Sequence, residues 1–530
     1  MAVSYRIHPG IGVARVGDST DDYFLGPEAP GVPSTLTKVD APALPLGQTG
    51  KYKDSHSAIK RQGARFRIFE YSSNEANVVT GVREITAAEA RIDWEVHLAN
   101  RKAAAERIPD GHAFPKGELR NKTAARDSLV IDPGPVTIGG VSEKPKRLEG
   151  RFLNQLDVPL GDLLTDAAGR LIVLGGFGTS QSVPPNAPLG NFANNHGWCD
   201  DASDGPVRAR VTMHGSNVTV EADPAWVLVA PPDFAPHLEN VVTLYDVVYD
   251  RAARLCDPSL AVTATSTVSF TRDIYPLLRR VSMLRWVSGV AADKRIAHGE
   301  NGPNDFVAMA AELSSNTTGS QLRNRIFNAL RNPKTGGGAM PKVPDQGKQN
   351  KNVRGPSVTA TQYKRMERWS QGSFDADWTG AEPTPVALDQ LPPAERPHAL
   401  DRAALEACVG GPFYPGIEVS GMVLDDSTYE QSRPFRINRT LEPGTLTAPM
   451  AIPWQADFAA CGEGEGNADW WPGQRPTRVF HGGARSADWM PSHWDAQDML
   501  HRWTQLGFVV QDDSRTKRRY DEQERDPTLT

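Results

Sequence analysis

The 530-residue chain has only four cysteines, Cys199, Cys256, Cys408 and Cys461, and no two of them form a C-x-x-C pair. Neither a disulfide framework nor a zinc ribbon fits that pattern, and four free thiols are the plain expectation. The twelve histidines form no H-E-x-x-H, so no metal ligand set is nameable and no metal is expected. Basic charge is scarce: the formal net charge is -6 and the longest basic run is the short TKRR around Lys517. A polyanionic partner such as nucleic acid is therefore not expected. No window approaches the roughly 18 apolar residues of a membrane helix. The N-terminal MAVSYRIHPG also lacks the basic and apolar regions of a secretory signal. The expectation is no membrane span and no signal peptide, with a cytoplasmic location or export without a recognisable signal.

What the chain does have is 39% hydrophobic residues over a length sufficient for two or more cored units. Its 42 prolines and 47 glycines cut the first 260 residues into short segments such as RFRIFEY, VTIGG, LIVLGG, VRARVTM, NVTVEA and AWVLVA. These alternate or run apolar and are rich in β-branched residues, the pattern of strands. GGFG at Gly175 follows an apolar run but lacks dinucleotide-binding spacing, and reads as a turn. After Cys256, TRDIYPLLRRVSMLRWV, QLRNRIFNALRN and TATQYKRMERWSQG place apolar residues at helical spacing. The polar stretch from Gly336 reads as an exposed loop, and SHWDAQDMLHRWTQLGFVV as a terminal helix. The predicted fold is α+β and β-rich. A strand-dominated N-terminal domain, residues 1–255, packs with a mixed helix and strand C-terminal domain, residues 256–530, that carries the site.

The chemistry-bearing segment is IPWQADFAACGEGEGNADWWPGQRP, from Ile452 to Pro476. Neither thiol nor indole does redox chemistry unaided, but an indole oxygenated to an ortho-quinone and bonded to sulfur is an electrophile and an electron sink. Gly462, Gly464 and Gly466 let the connection from Cys461 turn back on Trp470 and Trp471, at a loop-closure cost of about 2 kcal/mol. Asp457 lies four residues before Cys461. On a helical turn the two share one face, and Trp454 and Phe458 beside the carboxyl predict that burial disfavours its ionisation. Spacing alone fits equally a core thiol with two aromatic anchors. Adjacent residues of an extended segment face opposite ways, so only one tryptophan can meet the sulfur. Trp471, held extended by Pro472, is the favoured one, with Trp470 the alternative.

YRIHPGIGVARVGDS with YFLGPE, then GWCDDASDGPV, TRDIYP, ALDRAALEACVGGPFYPGIE, PWQADFAAC and WWPGQRP span Tyr5 to about Val510. Together they resemble the lysine epsilon-oxidase family, whose relatives include a glycine oxidase. The resemblance implies an amine oxidase whose cofactor, cysteine tryptophylquinone, is made from its own cysteine and tryptophan by a partner flavoprotein. By it, Cys461 matches the cross-linked cysteine and the Trp470–Trp471 pair contains the quinone tryptophan. Asp457 matches an aspartate needed for cofactor formation and placed as the base, and Cys408 a second cysteine near the site. The implied reaction is oxidative deamination of a primary amine, of an amino acid or peptide, with O2, releasing ammonia and hydrogen peroxide. The alternatives are a dehydrogenase with the same cofactor and a non-catalytic member with unmodified Cys461 and tryptophans. The Cys-to-Trp connection and the whole chain are short for the family, so loops that shape the substrate pocket and a possible homo-oligomer interface are expected to be reduced.

Phe413 and Tyr414, beside Gly410 and Gly411, are candidate pocket residues, although core packing suits them as well. Asp200, Asp201 and Asp204 with Gly205 and Pro206 read as a tight turn, and His196 with Cys199 is one pair too few for a metal. Glu418, Arg475, His481 and His493 read as surface or core partners rather than catalysts.

Overall fold

The computed structural model describes residues 2–36, 50–108, 117–289, 302, 304–340, 357–410, 416–461, 472–482, 485–512 and 519–529. Strand follows strand in the first part: β1 (Ala2–His8), β2 (Ile11–Arg15), β3 (Tyr23–Leu25), β4 (Arg61–Ser73), β5 (Val79–Ile85), β6 (Ala90–Val96) and β7 (Val136–Gly139). Then come β8 (Lys146–Phe152), β9 (Leu156–Thr165), β10 (Leu171–Gly175), β11 (Gln181–Ser182), β12 (Trp198–Cys199), β13 (Ser203–Met213), β14 (Thr219–Glu221) and β15 (Ala225–Ala230). Thirteen of these make one sheet of order β7-β6-β13-β15-β2-β4-β10-β9-β8, with β1, β3 and β5 also on β4 and β14 on β13. β7 at one end touches β8 and β9 at the other, so the sheet curls nearly onto itself. Closure of this kind removes the unpaired edges that a flat sheet exposes.

Side-chain alternation decides what each strand faces. In β6, Ile92, Trp94 and Val96 are buried between more exposed neighbours, and in β13 Val207, Ala209 and Val211 alternate with exposed Arg208 and Arg210. The parallel pair β2 and β15 is buried along its whole length, as expected for strands covered on both faces. Ala14, Val227 and Val229 point into the main core, whereas Ile11, Val13, Trp226 and Leu228 point into a second core on the other side. That second core holds the helices α1 (Leu244–Leu255) and α6 (Arg396–Glu406).

Among the described residues the other α-helices are α2 (Tyr275–Met283), α3 (Ala310–Leu313), α4 (Ser320–Ala329), α5 (Ala360–Ser370), α7 (Trp454–Ala460) and α8 (Ala496–Arg502). Capping boxes start α1 at Thr243 and Asp246, and α5 at Thr359 and Gln362, satisfying N–H groups that the first turn leaves free. Two hairpins, β16 (Arg478–His481) with β17 (Arg485–Asp488) and β18 (Phe508–Gln511) with β19 (Tyr520–Gln523), complete the C-terminal part. The α+β, β-rich class read from the sequence is the class observed. No helix among the described residues is long and apolar enough to cross a membrane.

One element differs from its expectation. The predicted terminal helix is α only over Ala496–Arg502, and after a 3-10 turn at Trp503–Gln505 the GFVV segment becomes β18. Gly507 leaves the helix, donating its N–H to Glu522 Oε1 at 3.0 Å, and β18 takes its backbone partners from β19. Phe508 stacks on Tyr52 and on Phe234, with centroids 5.0 and 5.1 Å away. The N–H groups of Tyr52 and Lys53 donate to the Glu524 carboxylate at 2.9 and 2.8 Å. The end of the chain is thus bolted to its beginning.

Candidate active site

The helix α7 is seven residues long and has no side-chain cap of its own at Pro453. A helix that short is marginal unless its surroundings hold it. The N–H of Trp454 donates to Asp200 Oδ2 at 3.0 Å, so a carboxylate from a distant strand end serves as the cap, where it also meets the positive end of the helix dipole. Gln455 Nε2 donates to the Gly178 carbonyl at 3.0 Å, and its Oε1 accepts from Ser180 Oγ at 2.7 Å. At the other end Arg475 Nε donates to the Phe458 carbonyl at 2.8 Å, one of the acceptors that a helix C-terminus leaves free.

Fixed at both ends, α7 turns Asp457 inward, 3% exposed. The backbone N–H of Cys461 donates to the Asp457 carbonyl at 2.9 Å, continuing the helical turn. The thiol follows it: Cys461 Sγ donates to Asp457 Oδ1 at 3.5 Å. Around them Trp454 packs on Phe458 at 4.9 Å and on Trp503 at 5.4 Å, and Phe234 contacts Phe458 at 6.3 Å. This aromatic surround removes water from the carboxyl. Burial pushes Asp457 up to about 7, against the Cys461 hydrogen bond and the positive charges of Lys102 and Arg475, which all favour the carboxylate. A carboxyl poised there can take a proton at neutral pH and return it.

The segment GWCDDASDGP is not the tight turn that its composition suggests: it runs from β12 into β13, which begins at Ser203. Asp200, Asp201 and Asp204 are all 0% exposed, and each binds a different distant segment. Asp200 holds the start of α7, accepts from Asn100 Nδ2 at 3.0 Å and pairs with the buried ammonium of Lys102. Asp201 accepts from the N–H groups of Gly178 and Thr179 at 2.7 and 3.3 Å, and burial with the adjacent Asp200 charge raises it to about 7. Asp204 accepts from the Thr447 N–H and hydroxyl at 2.8 and 2.6 Å and from Trp226 Nε1 at 3.0 Å. Burial still lifts it to about 6. Turn-rich composition misled because the donors come from elsewhere in the chain, where no local spacing rule finds them.

Cys408, just after α6, lies in the second core rather than beside Asp457 among the described contacts. Burial, with Glu418 nearby, raises its thiol well above the ordinary range. Glu418 is 1% exposed and paired with Arg15, and its carboxylate accepts the Val409 N–H. Glu418 and Arg475 are thus buried and hydrogen-bonded, and His481 pairs with Glu522 at 3.0 Å. His196 Nδ1 accepts from the Asn121 N–H at 2.9 Å. Among the described residues no group of three or more His, Cys, Asp or Glu is arranged to hold a metal. Trp470, Trp471, Phe413, Tyr414 and the glycines from Gly462 to Gly466 lie outside the described residues. Lys102 went unnoticed in the sequence, and Asp200 was read only as part of a turn.

Known proteins resemble this chain along most of its length. The model of the L-lysine epsilon oxidase N-terminal region matches residues 8–229, and that of the L-lysine epsilon oxidase C-terminal domain matches residues 341–480. The L-lysine 6-oxidase of Marinomonas mediterranea is 29% identical over 546 aligned residues, which cover 87% of this chain and 71% of that protein. Two crystal structures of L-Lys epsilon-oxidase from the same organism, one of them the Schiff base intermediate with L-Lys, match with a TM-score of 0.75. Each is 23% identical, and the match covers 99% of this chain and 95% of theirs.

Proposed function

We propose that this chain, which belongs to the L-lysine epsilon oxidase family, is an amine oxidase that uses Asp457 as its base and a quinone built from Cys461 and Trp471 or Trp470. Its class is that of oxidoreductases acting on a CH–NH2 group with oxygen as acceptor. The observation that carries the reading is the Cys461 thiol 3.5 Å from a buried carboxyl raised to about 7.

The residues present suit cysteine tryptophylquinone. Cys461 is half-buried and in no disulfide, at the C-terminal end of a helix fixed at both termini. When formed, the quinone supplies an electrophilic carbonyl for an amine and takes up two electrons. Asp457, as carboxylate, removes the proton from the carbon that bears the amine and holds it at Oδ. Trp454, Phe458 and Phe234 exclude water from that transfer, and Arg475 and Lys102 offset part of the cost of holding a buried negative charge. The net reaction converts a primary amine, O2 and water to an aldehyde or keto product, ammonia and hydrogen peroxide. Lysine is named for the relative; for this chain the substrate class is a primary amine of an amino acid or peptide. A flavoprotein partner oxygenates and cross-links the precursor.

The test is intact-mass analysis of protein produced with a maturation flavoprotein, followed by peroxide measurement over a panel of amino acids and lysyl peptides. A mass change for oxygenation and cross-linking, with amine-dependent peroxide, is the expected result. Turnover only with an artificial electron acceptor would make it a dehydrogenase. An unmodified mass with no turnover of any amine would overturn the reading.

A further inference from the structure

Lys102 takes up no proton in that chemistry, yet its side chain is wholly buried. Its ammonium pairs with Asp200, itself 0% exposed, and Asp200 Oδ2 also accepts the first N–H of α7. Capping a helix needs only an acceptor, and an asparagine or serine oxygen serves. As a stabilising device a buried ion pair is a poor choice, because desolvating two charges offsets most of their attraction. The charge is therefore more than the cap requires. One helical turn beyond the capped N–H stands Asp457, and Lys102 is among the charges that act on it.

We infer that Lys102 and Asp200 are a positioning pair for Asp457: Asp200 fixes the first turn of the helix that carries it, and Lys102 supplies the nearby positive charge that favours its carboxylate form. This rests on the reading of Asp457 as the base. Among the described residues the other groups near Asp457 have these partners. Cys461 donates to it, and Arg475 is held by the Phe458 and Pro476 carbonyls. Asp201 is turned away to Gly178 and Thr179, and Arg120 is held by the Lys102 carbonyl and Asn194. The adjoining α8 presents buried Met499 and Leu500, with Asp498, His501 and Arg502 partly or fully exposed. Among the described residues Lys102 and Arg475 are the positive charges acting on Asp457, and of the two it is Lys102 that is tied to the start of its helix.

The test reads the proton on Asp457 directly, by pH-difference infrared spectroscopy of the carbonyl stretch that Asp457→Asn removes, beside the acidic limb of kcat/KM. In Lys102→Met the titration midpoint rises by roughly one pH unit or more, and the kinetic limb moves with it. The double variant Lys102→Met with Asp200→Asn keeps the acceptor for Trp454 and leaves no unpaired buried charge, so it carries the test should the single variant not fold. Its midpoint also rises. A folded double variant with the wild-type midpoint would overturn the inference and leave the pair a helix anchor only. If the midpoint moves while wild-type protein oxidises no amine, the functional reading falls and the positioning pair stands.

Discussion

Two carboxylate environments in this molecule, one half-buried and one buried, run in opposite directions. On β4 and its neighbours, Glu28 lies against Arg65 and Arg67, the latter 2.8 Å away, while Arg67 and Arg170 share Glu84 at 3.3 and 2.6 Å. Burial pushes Glu28 up, but Arg67 and Arg65 together outweigh it and hold the group at about 2. On α7, burial acts on Asp457 in the same sense, and the charges of Lys102 and Arg475 do not outweigh it: Lys102 is paired with Asp200 and Arg475 donates to backbone carbonyls, whereas both arginines hydrogen-bond Glu28 directly. The difference teaches that direct guanidinium hydrogen bonds, not burial alone, decide whether a carboxyl serves the fold or keeps a usable proton.

The sharpest way to break that contrast is Asp457→Asn, which keeps shape and removes basicity. Amine-dependent peroxide release should fall by roughly 10²–10⁴-fold, and full activity would place Asp457 with the structural acids. In wild-type enzyme kcat/KM should climb about tenfold per pH unit and level off near pH 7, since the base works only as carboxylate and activity is lost as pH falls through about 7.

Arg67→Met attacks the other side. It leaves Glu28 with Arg65 alone and Glu84 with Arg170 alone, and the unfolding midpoint in denaturant should report a loss on the order of 2 kcal/mol with the pH profile of turnover unmoved. A shifted profile would mean that the two regions are not separable.

Asp457→Asn should also change stability, with a sign that follows from linkage. A carboxyl raised to about 7 in the folded state contributes stability below its ordinary range near 3.8, and that contribution is lost as pH rises through 7. The variant should therefore gain on wild type by about 4 kcal/mol at pH 8 and by almost nothing at pH 4, measured by denaturant unfolding at both. Equal differences at the two pH values would deny that the carboxyl is strained. The smallest effect belongs to Thr447→Val, which removes the 2.6 Å hydroxyl hydrogen bond to Asp204. About 1.5 kcal/mol should be lost, with turnover kept.

The strand half was legible because its signals are local. AWVLVA and VRARVTM carry their burial in their own periodicity, and the spacing in PWQADFAAC already sets a carboxyl and a thiol on one helical face. GFVV was misread because its apolar run continues a helical pattern, while the strand that claims it lies beyond, at Tyr520–Gln523. Lys102 and Asp200 escaped for a like reason. The pair is separated by 98 residues, and Asp200 caps a helix 254 residues further on, distances over which composition and spacing hold no information about contact.

The bolt between the chain's two ends has a consequence for how the protein is made. Synthesis at about 5–20 residues per second leaves Tyr52 waiting roughly half a minute to a minute and a half for Phe508 to appear. Through that interval Phe234 lacks one of its stacking partners and the Tyr52 and Lys53 amides lack their Glu524 acceptor. The curled sheet must therefore keep an open apolar flank while the chain grows, a natural station for a chaperone. Any enzyme that modifies Cys461 with this packing in place must act after Glu524 has been made.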